Sequence, residues 1–173
     1  HSGYYDKNLA RQLRPDEILR REAWSNDGGQ TWENLSISQV LPDGGGYRRG
    51  YGMKGGLTRL PVKDRDILIF SNADTGGGER KKMTVWASFD GAKTWPVKRL
   101  VYAPHGAYSS LVAGRPGTAG EGLIYLLFEG GPDGRYSAMQ VARFNLCRAA
   151  SESASGSRAS PARSCRPHPD LRC

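Results

Sequence analysis

The sequence lacks long hydrophobic runs, and methionine is rare in it. Among its 173 residues, no stretch approaches the roughly 18 consecutive apolar residues of a transmembrane helix, and mean hydropathy is −0.59. We therefore expect no membrane-spanning segment. There are only 3 Met, whereas Gly and Pro number 23 and 10. This composition is typical of short strands joined by many turns and not of a helical bundle.

Cysteine is scarce and confined to one end of the chain. Cys147, Cys165 and Cys173 lie in a region rich in Ser, Ala, Pro and Arg, and an odd number of thiols there favours neither a disulfide framework nor a zinc site. The region has one large aliphatic residue and no aromatic residue, too little apolar surface to offset chain entropy. We expect residues 147–173 to form a disordered tail and residues 1–146 the folded domain, with no metal and no cofactor.

Acidic residues are outnumbered by basic ones. Lys and Arg total 25 against 17 Asp and Glu, which gives a net charge of +8. This surplus favours an anionic partner but does not distinguish nucleic acid from an acidic sugar. Residues 47–54 interleave basic and aromatic side chains, a pattern that fits a nucleic-acid strip, the rim of a sugar pocket or, more simply, a solvated loop.

Short β segments separated by Gly, Pro and Asp fill most of the remaining sequence. Alternating apolar residues and the run from Gly122 to Phe128 are typical of strands in an antiparallel meander. The pattern predicts nine strands, a little over two four-stranded sheets. They lie near 18–25, 34–40, 55–60, 67–71, 83–89, 97–102, 107–113, 122–129 and 136–145.

An octet with the pattern S-x-D-G-[GA]-x-T-W occurs twice, at Ser25–Trp32 and at Ser88–Trp95. Its Asp accepts backbone N–H bonds, its Gly permits positive φ, and its Trp covers the turn with apolar surface. The octet resembles the Asp-box, or bacterial neuraminidase repeat, which caps hairpins in the β-propellers of sialidases and of several unrelated proteins. Ala92 replaces the usual Gly of the second copy.

The residues around the octets resemble the C-terminal half of the exo-α-sialidases, or neuraminidases. Arg20 and Arg21 precede the first octet, and the sequence Phe-Ser-Asn at 70–72 is followed by Arg80. An Ala-Tyr-Ser-Ser-Leu segment then contains Tyr108, and a hydrophobic strand ends at Glu129. The resemblance implies an all-β fold, a sialidase-like six-bladed β-propeller of which this chain covers roughly half.

The resemblance also implies roles for these residues. Arg80 and either Arg20 or Arg21 would hold the carboxylate of sialic acid, Tyr108 would be the nucleophile, and Glu129 would orient a further arginine. A neutral phenol suits this reaction because a carboxylate nucleophile would be repelled by the substrate's own carboxylate. Simpler readings exist: each arginine could be a solvated strand residue or form a cross-strand ion pair, Tyr108 could be a strand aromatic, and Glu129 could lie exposed at a turn.

Several parts of a sialidase site have no counterpart in the sequence. The acid/base Asp, the first arginine and the Glu that activates the tyrosine are missing, and the chain begins at His1 without a leader. We therefore expect a partial sequence of a retaining exo-α-sialidase, nearly inactive alone. Its parent would act on sialylated glycoconjugates, not on nucleic acid, in a secreted or lysosome-like compartment. The alternative is a non-catalytic Asp-box propeller that serves as a glycan-binding or scaffold module.

Overall fold

The computed structural model describes residues 19–43, 52–75 and 80–146, and this part of the chain is all-β. The predicted tail at 147–173 and residues 47–51 of the basic and aromatic stretch at 47–54 lie outside the described residues. No helix in the described part is long and apolar enough to cross a membrane. The eight strands are β1 (Leu19–Trp24), β2 (Glu33–Pro42), β3 (Gly56–Val62), β4 (Arg65–Ala73), β5 (Lys81–Ser88), β6 (Val97–Ala113), β7 (Leu123–Gly131) and β8 (Met139–Asn145).

All strand pairs are antiparallel and follow chain order. β1 and β2 form a two-stranded sheet, and β3 to β8 form a six-stranded sheet in the order β3-β4-β5-β6-β7-β8. β6 pairs with β5 up to His105, which lies opposite Lys81, and pairs with β7 from His105 onward. The β-propeller that the resemblance implies divides this sheet into two blades, which we call the first blade (β3, β4, β5 and the first half of β6) and the second blade (the second half of β6, β7 and β8).

The prediction of separate strands at 97–102 and 107–113 is wrong, because β6 is continuous through 103–106. Pro104 interrupts neither half of β6, because it lies where the pairing partner changes from β5 to β7. No backbone N–H is needed there for a hydrogen bond between strands. A register shift between Gly106 and Ser109 marks the same change of partner. The described residues therefore contain eight strands where nine were predicted.

The first blade packs against the second blade on one face and against the end of β2 on the other. Residues from both blades form the main core between them, comprising Leu60, Ile67, Ile69, Ala87, Val97, Ile124 and Leu146. On the opposite face, Leu41 of β2 packs with Phe70 and Trp86, whose ring centroids are 5.7 Å apart. These contacts place β1 and β2 against the first blade. The all-β partial propeller expected from the sequence is confirmed.

The two octets form the same hydrogen-bonded turn. In the first, the Thr31 hydroxyl donates to Asp27 over 2.6 Å, and in the second the Thr94 hydroxyl donates to Asp90 over 2.6 Å. A Ser hydroxyl donates to the Asp carboxylate in both copies. The first octet joins β1 to β2 and the second joins β5 to β6, so each octet connects two consecutive antiparallel strands.

These hydrogen bonds favour the charged form of both carboxylates. The side-chain and backbone donors of Thr94 lower the pKa of Asp90 from its ordinary value of 3.8 to about 2, and Thr31 lowers the pKa of Asp27 further. Because the folded-state pKa is depressed, the stabilising contribution is present above the ordinary value. It is lost as pH falls from there through the folded pKa.

Ala92 should limit the stability of the second octet. Its φ is +68°, whereas the equivalent residue of the first octet is Gly29, with φ +92°. A side chain at positive φ is strained, and glycine is not. We expect Ala92→Gly to raise the free energy of unfolding by about 0.5–1 kcal/mol in urea titrations, and Gly29→Ala to lower it. A loss of stability in Ala92→Gly would contradict this account.

Candidate functional site

The antiparallel order brings Arg80, Tyr108 and Glu129 to the same end of the strands in both blades, and we call this end of the strands the edge of the blades. Arg80 immediately precedes β5, and Glu129 lies near the end of β7. Tyr108 lies just after His105, where β6 begins to pair with β7. The Gly106 N–H donates to the Arg80 carbonyl over 2.9 Å, which fixes the start of β5 beside the β6 crossover. The second octet follows β5 and therefore lies at the opposite edge.

The guanidinium of Arg80 lies against the ring of Tyr108. Its Cζ is 5.0 Å from the ring centroid, within the range of a cation–π contact. Nη1 donates a hydrogen bond to the Tyr136 hydroxyl over 2.8 Å. Within the described ranges, Nε and Nη2 have no hydrogen-bond partner, so one edge of the guanidinium is free to meet an anion.

The backbone at Tyr108 is anchored through the next residue, Ser109. The Ser109 N–H donates to the Lys54 carbonyl over 3.1 Å, and its hydroxyl oxygen is 2.9 Å from that of Ser71. A side chain on Gly56 would collide with the backbone of Leu111, so glycine allows the two blades to approach closely here. The Phe-Ser-Asn motif thus helps to fix the segment that presents Tyr108.

Tyr108 itself is 40% exposed. Its hydroxyl makes no hydrogen bond to the part of the chain that the structure describes. The half-buried Glu129 carboxylate accepts the Tyr108 backbone N–H over 3.3 Å, and it forms no ion pair with the described residues. A phenol is therefore available beside Arg80, and a carboxylate lies at the backbone of the same tyrosine.

Arg20 takes part in a different set of contacts. It is 7% exposed, and Nη1 lies 3.3 Å from Oδ1 of Asp43. Nη2 donates to the Met53 carbonyl over 2.7 Å, and its Cζ is 5.4 Å from the Phe70 ring. Since Asp43 directly follows β2, which pairs with β1, this is the cross-strand ion pair that the sequence left open.

The neighbouring Arg21 is exposed and lies opposite Ile37 in the β1–β2 pair. Consecutive strand residues point to opposite faces, so Arg20 and Arg21 differ in burial as their alternation predicts. No described contact joins Arg20 or Arg21 to Arg80 or Tyr108.

Comparisons with known proteins agree with this architecture. A scan of the chain against protein-family profiles finds no match. A curated protein named Sialidase, from Micromonospora viridifaciens, is 34% identical over 131 residues, which are 73% of this chain and 18% of that protein. The chain belongs to the sialidase family.

A solved structure described as Hadza microbial sialidase Hz136 resembles the fold of this sialidase-family chain. It aligns with a TM-score of 0.55 and 25% identity, covering 73% of this chain and 23% of the other. The sialidase-family chain thus spans less than a quarter of the length of either protein.

Tyr136 was not predicted as a site residue, although it is the hydrogen-bond partner of Arg80 in this sialidase-family chain. It is 62% exposed and lies in the connection between β7 and β8, where Arg135 also approaches its ring, with Cζ 5.6 Å from the centroid. The sequence offers one signal: Arg135 and Tyr136 follow Gly134 in a turn after Glu129, at the edge that also holds Arg80. Propensities alone do not give the loop conformation that brings them together.

Proposed function

We propose that this chain contributes part of the active site of a retaining exo-α-sialidase, which removes terminal α-linked sialic acid from glycoconjugates. The observation that carries the proposal is the Arg80 guanidinium, placed over the Tyr108 ring with Nε and Nη2 unpaired among the described residues. An arginine fork and a phenol side by side match the two chemical demands of a sialoside, a carboxylate to be held and an anomeric carbon to be attacked.

Arg80 would bind the substrate carboxylate. The N–H bonds of Nε and Nη2 lie along one edge of a planar guanidinium, where they can meet both oxygens of a carboxylate at once. The charge of arginine persists at any working pH. A neutral sugar offers this fork no matching anion, so Arg80 would select acidic sugars over neutral ones.

Tyr108 would be the nucleophile. Its phenol oxygen would attack the anomeric carbon while the aglycone leaves, and water would then displace the tyrosine, so that two inversions give net retention. We assign the base that takes the phenol proton, and the acid that protonates the aglycone oxygen, to residues beyond the described part of the chain. Glu129 would hold the Tyr108 backbone and keep its second oxygen available for another cation.

Arg20 and Arg21 are weaker candidates for substrate binding. The Arg20 guanidinium is buried against Asp43 and donates to Met53, so meeting a sugar carboxylate would require breaking a buried ion pair. Such a rupture leaves an uncompensated charge. Among the predicted arginines of the described residues, we therefore assign carboxylate binding to Arg80.

Hydrolysis of a fluorogenic α-sialoside tests the proposal. The chain is expressed in its complete reading frame and assayed with the acid and with its methyl ester, which lacks the anion. We expect hydrolysis of the acid, and proton NMR should show that the α-anomer is released first. In Arg80→Ala, kcat/KM should be about 100-fold or more lower. Arg59→Ala, an exposed arginine paired with Asp66, serves as the matched control and should retain activity.

The outcomes separate three functions: a sialidase, a glycan-binding module and a scaffold. Equal hydrolysis of the acid and the ester would contradict the role of Arg80 in recognition. Binding of the sialoside without hydrolysis would instead favour the glycan-binding module. If the protein neither binds nor hydrolyses the sialoside, the scaffold function is favoured.

A further inference from the structure

Tyr136 lies outside the core and outside the residues that the family resemblance assigns. Its ring is 62% exposed, so burial of apolar surface does not explain its orientation. Its hydroxyl accepts the hydrogen bond from Nη1 of Arg80 over 2.8 Å. The two residues are far apart in sequence, and the contact joins the start of β5 in one blade to the β7–β8 connection of the next.

The turn that carries Tyr136 is held by its own hydrogen bonds. The N–H and the hydroxyl of Ser137 both donate to the Gly134 carbonyl, over 3.3 and 2.9 Å. A side chain on Gly131 would overlap the Ser137 hydroxyl, so that hydroxyl would have to rotate away from its hydrogen bond with Gly134. Tyr136 is therefore presented by a defined turn, and its hydroxyl is directed at Arg80 by that turn.

Rings and guanidinium groups alternate across this edge of the blades. Arg135 lies 5.6 Å from the Tyr136 ring centroid, and Arg80 lies 6.0 Å from it and 5.0 Å from the Tyr108 ring centroid. Each cation lies within the range of a cation–π contact. Arg80 is thus held by two rings and one hydroxyl, and its mobility should be low.

We propose that Tyr136 is a positioning residue that orients Arg80 for the substrate carboxylate. By engaging Nη1, its hydroxyl fixes the rotation of the guanidinium, and the edge formed by Nε and Nη2 is left for the anion. Prior fixation lowers the entropy lost on binding. This inference rests on the proposed sialidase function, and it adds that the fork is already oriented by the next blade before substrate arrives.

The test compares Tyr136→Phe with the unmodified protein, both in the complete reading frame. The substitution removes one hydroxyl and keeps the ring. We expect KM for the fluorogenic α-sialoside to rise about tenfold, the effect of losing one hydrogen bond to a charged group, with kcat changed by less than about threefold. Tyr125→Phe is the matched control, because the Tyr125 hydroxyl lies near Gly120 at the opposite edge.

A double-mutant cycle separates positioning from general damage to the fold. If Tyr136 acts through Arg80, Tyr136→Phe should cause no further loss in the Arg80→Ala background. Multiplicative losses in the double variant would overturn the inference, and so would a single variant whose KM matches that of the unmodified protein. A fall in kcat alone would also overturn it.

Failure of the proposed function gives a different result. If the unmodified protein neither binds nor hydrolyses the sialoside, the sialidase proposal fails and the inference with it. If the protein is active and Arg80→Ala impairs it, whereas Tyr136→Phe does not, only the role of Tyr136 is refuted.

Discussion

Replacing Tyr108 by Phe should lower kcat for sialoside hydrolysis by about 10³-fold or more, because it removes the oxygen that would form the covalent intermediate. The substitution should leave stability unchanged, since the hydroxyl makes no hydrogen bond within the described residues and the side chain is 40% exposed. Arg80 would keep an aromatic ring beneath it. Steady-state kinetics on the complete reading frame measure the effect.

Tyr102→Phe is the matched control for this variant. Tyr102 lies on the same strand, and its ring packs on Phe128 with centroids 5.6 Å apart. It should retain full activity. If Tyr108→Phe keeps activity within about tenfold of the unmodified protein, Tyr108 is not the nucleophile, and trapping with a slow sialoside should then label another residue.

Replacing Asp43 by Ala should destabilise the protein by about 3–5 kcal/mol, because it removes the carboxylate that lies 3.3 Å from the buried Arg20 guanidinium. Gly52 packs directly against this carboxylate, and a side chain there would overlap it, which shows how closely the ion pair is enclosed. Urea unfolding followed by tryptophan fluorescence measures the change. The tryptophan signal suits this region because Trp86 lies in the cluster with Phe70, the ring that Arg20 contacts.

Two further variants define the cause of that loss. Arg59→Ala breaks an exposed pair with Asp66 and should cost no more than about 1 kcal/mol. Replacing both Arg20 by Met and Asp43 by Leu removes both charges and should recover most of the stability lost in Asp43→Ala. Equal losses in Asp43→Ala and Arg59→Ala would show that burial of the Arg20–Asp43 pair is unimportant.

The sequence predicts the local parts of this structure best. Each octet contains its own donors and acceptors within eight residues, so the turns at Asp27 and Asp90 can be predicted from the local sequence pattern. The alternation that separates Arg20 from Arg21 is equally local. The continuity of β6 was missed because Pro104 and Gly106 usually end a strand, whereas here they lie at a change of partner.

Contacts between distant segments were harder to predict. The Arg20–Asp43 pair depends on a β1–β2 register with two irregularities, and the Tyr136–Arg80 hydrogen bond depends on the conformation of a turn. The proximity of Arg80 and Tyr108 was expected from the family resemblance alone, and the antiparallel topology supplies its physical reason. The chemical roles of Arg80, Tyr108 and Glu129 stay predictions until the variants are assayed.

The sharing of β6 between two blades has a consequence for unfolding. In many repeat proteins, neighbouring units meet only through side chains and can melt one after another. Here one continuous strand supplies the last strand of one unit with its first half and the starting strand of the next with its second half, so the two hydrogen-bond ladders meet at His105. The two units should therefore be lost in a single cooperative step, and the edge carrying Arg80 and Tyr108 should disappear with them.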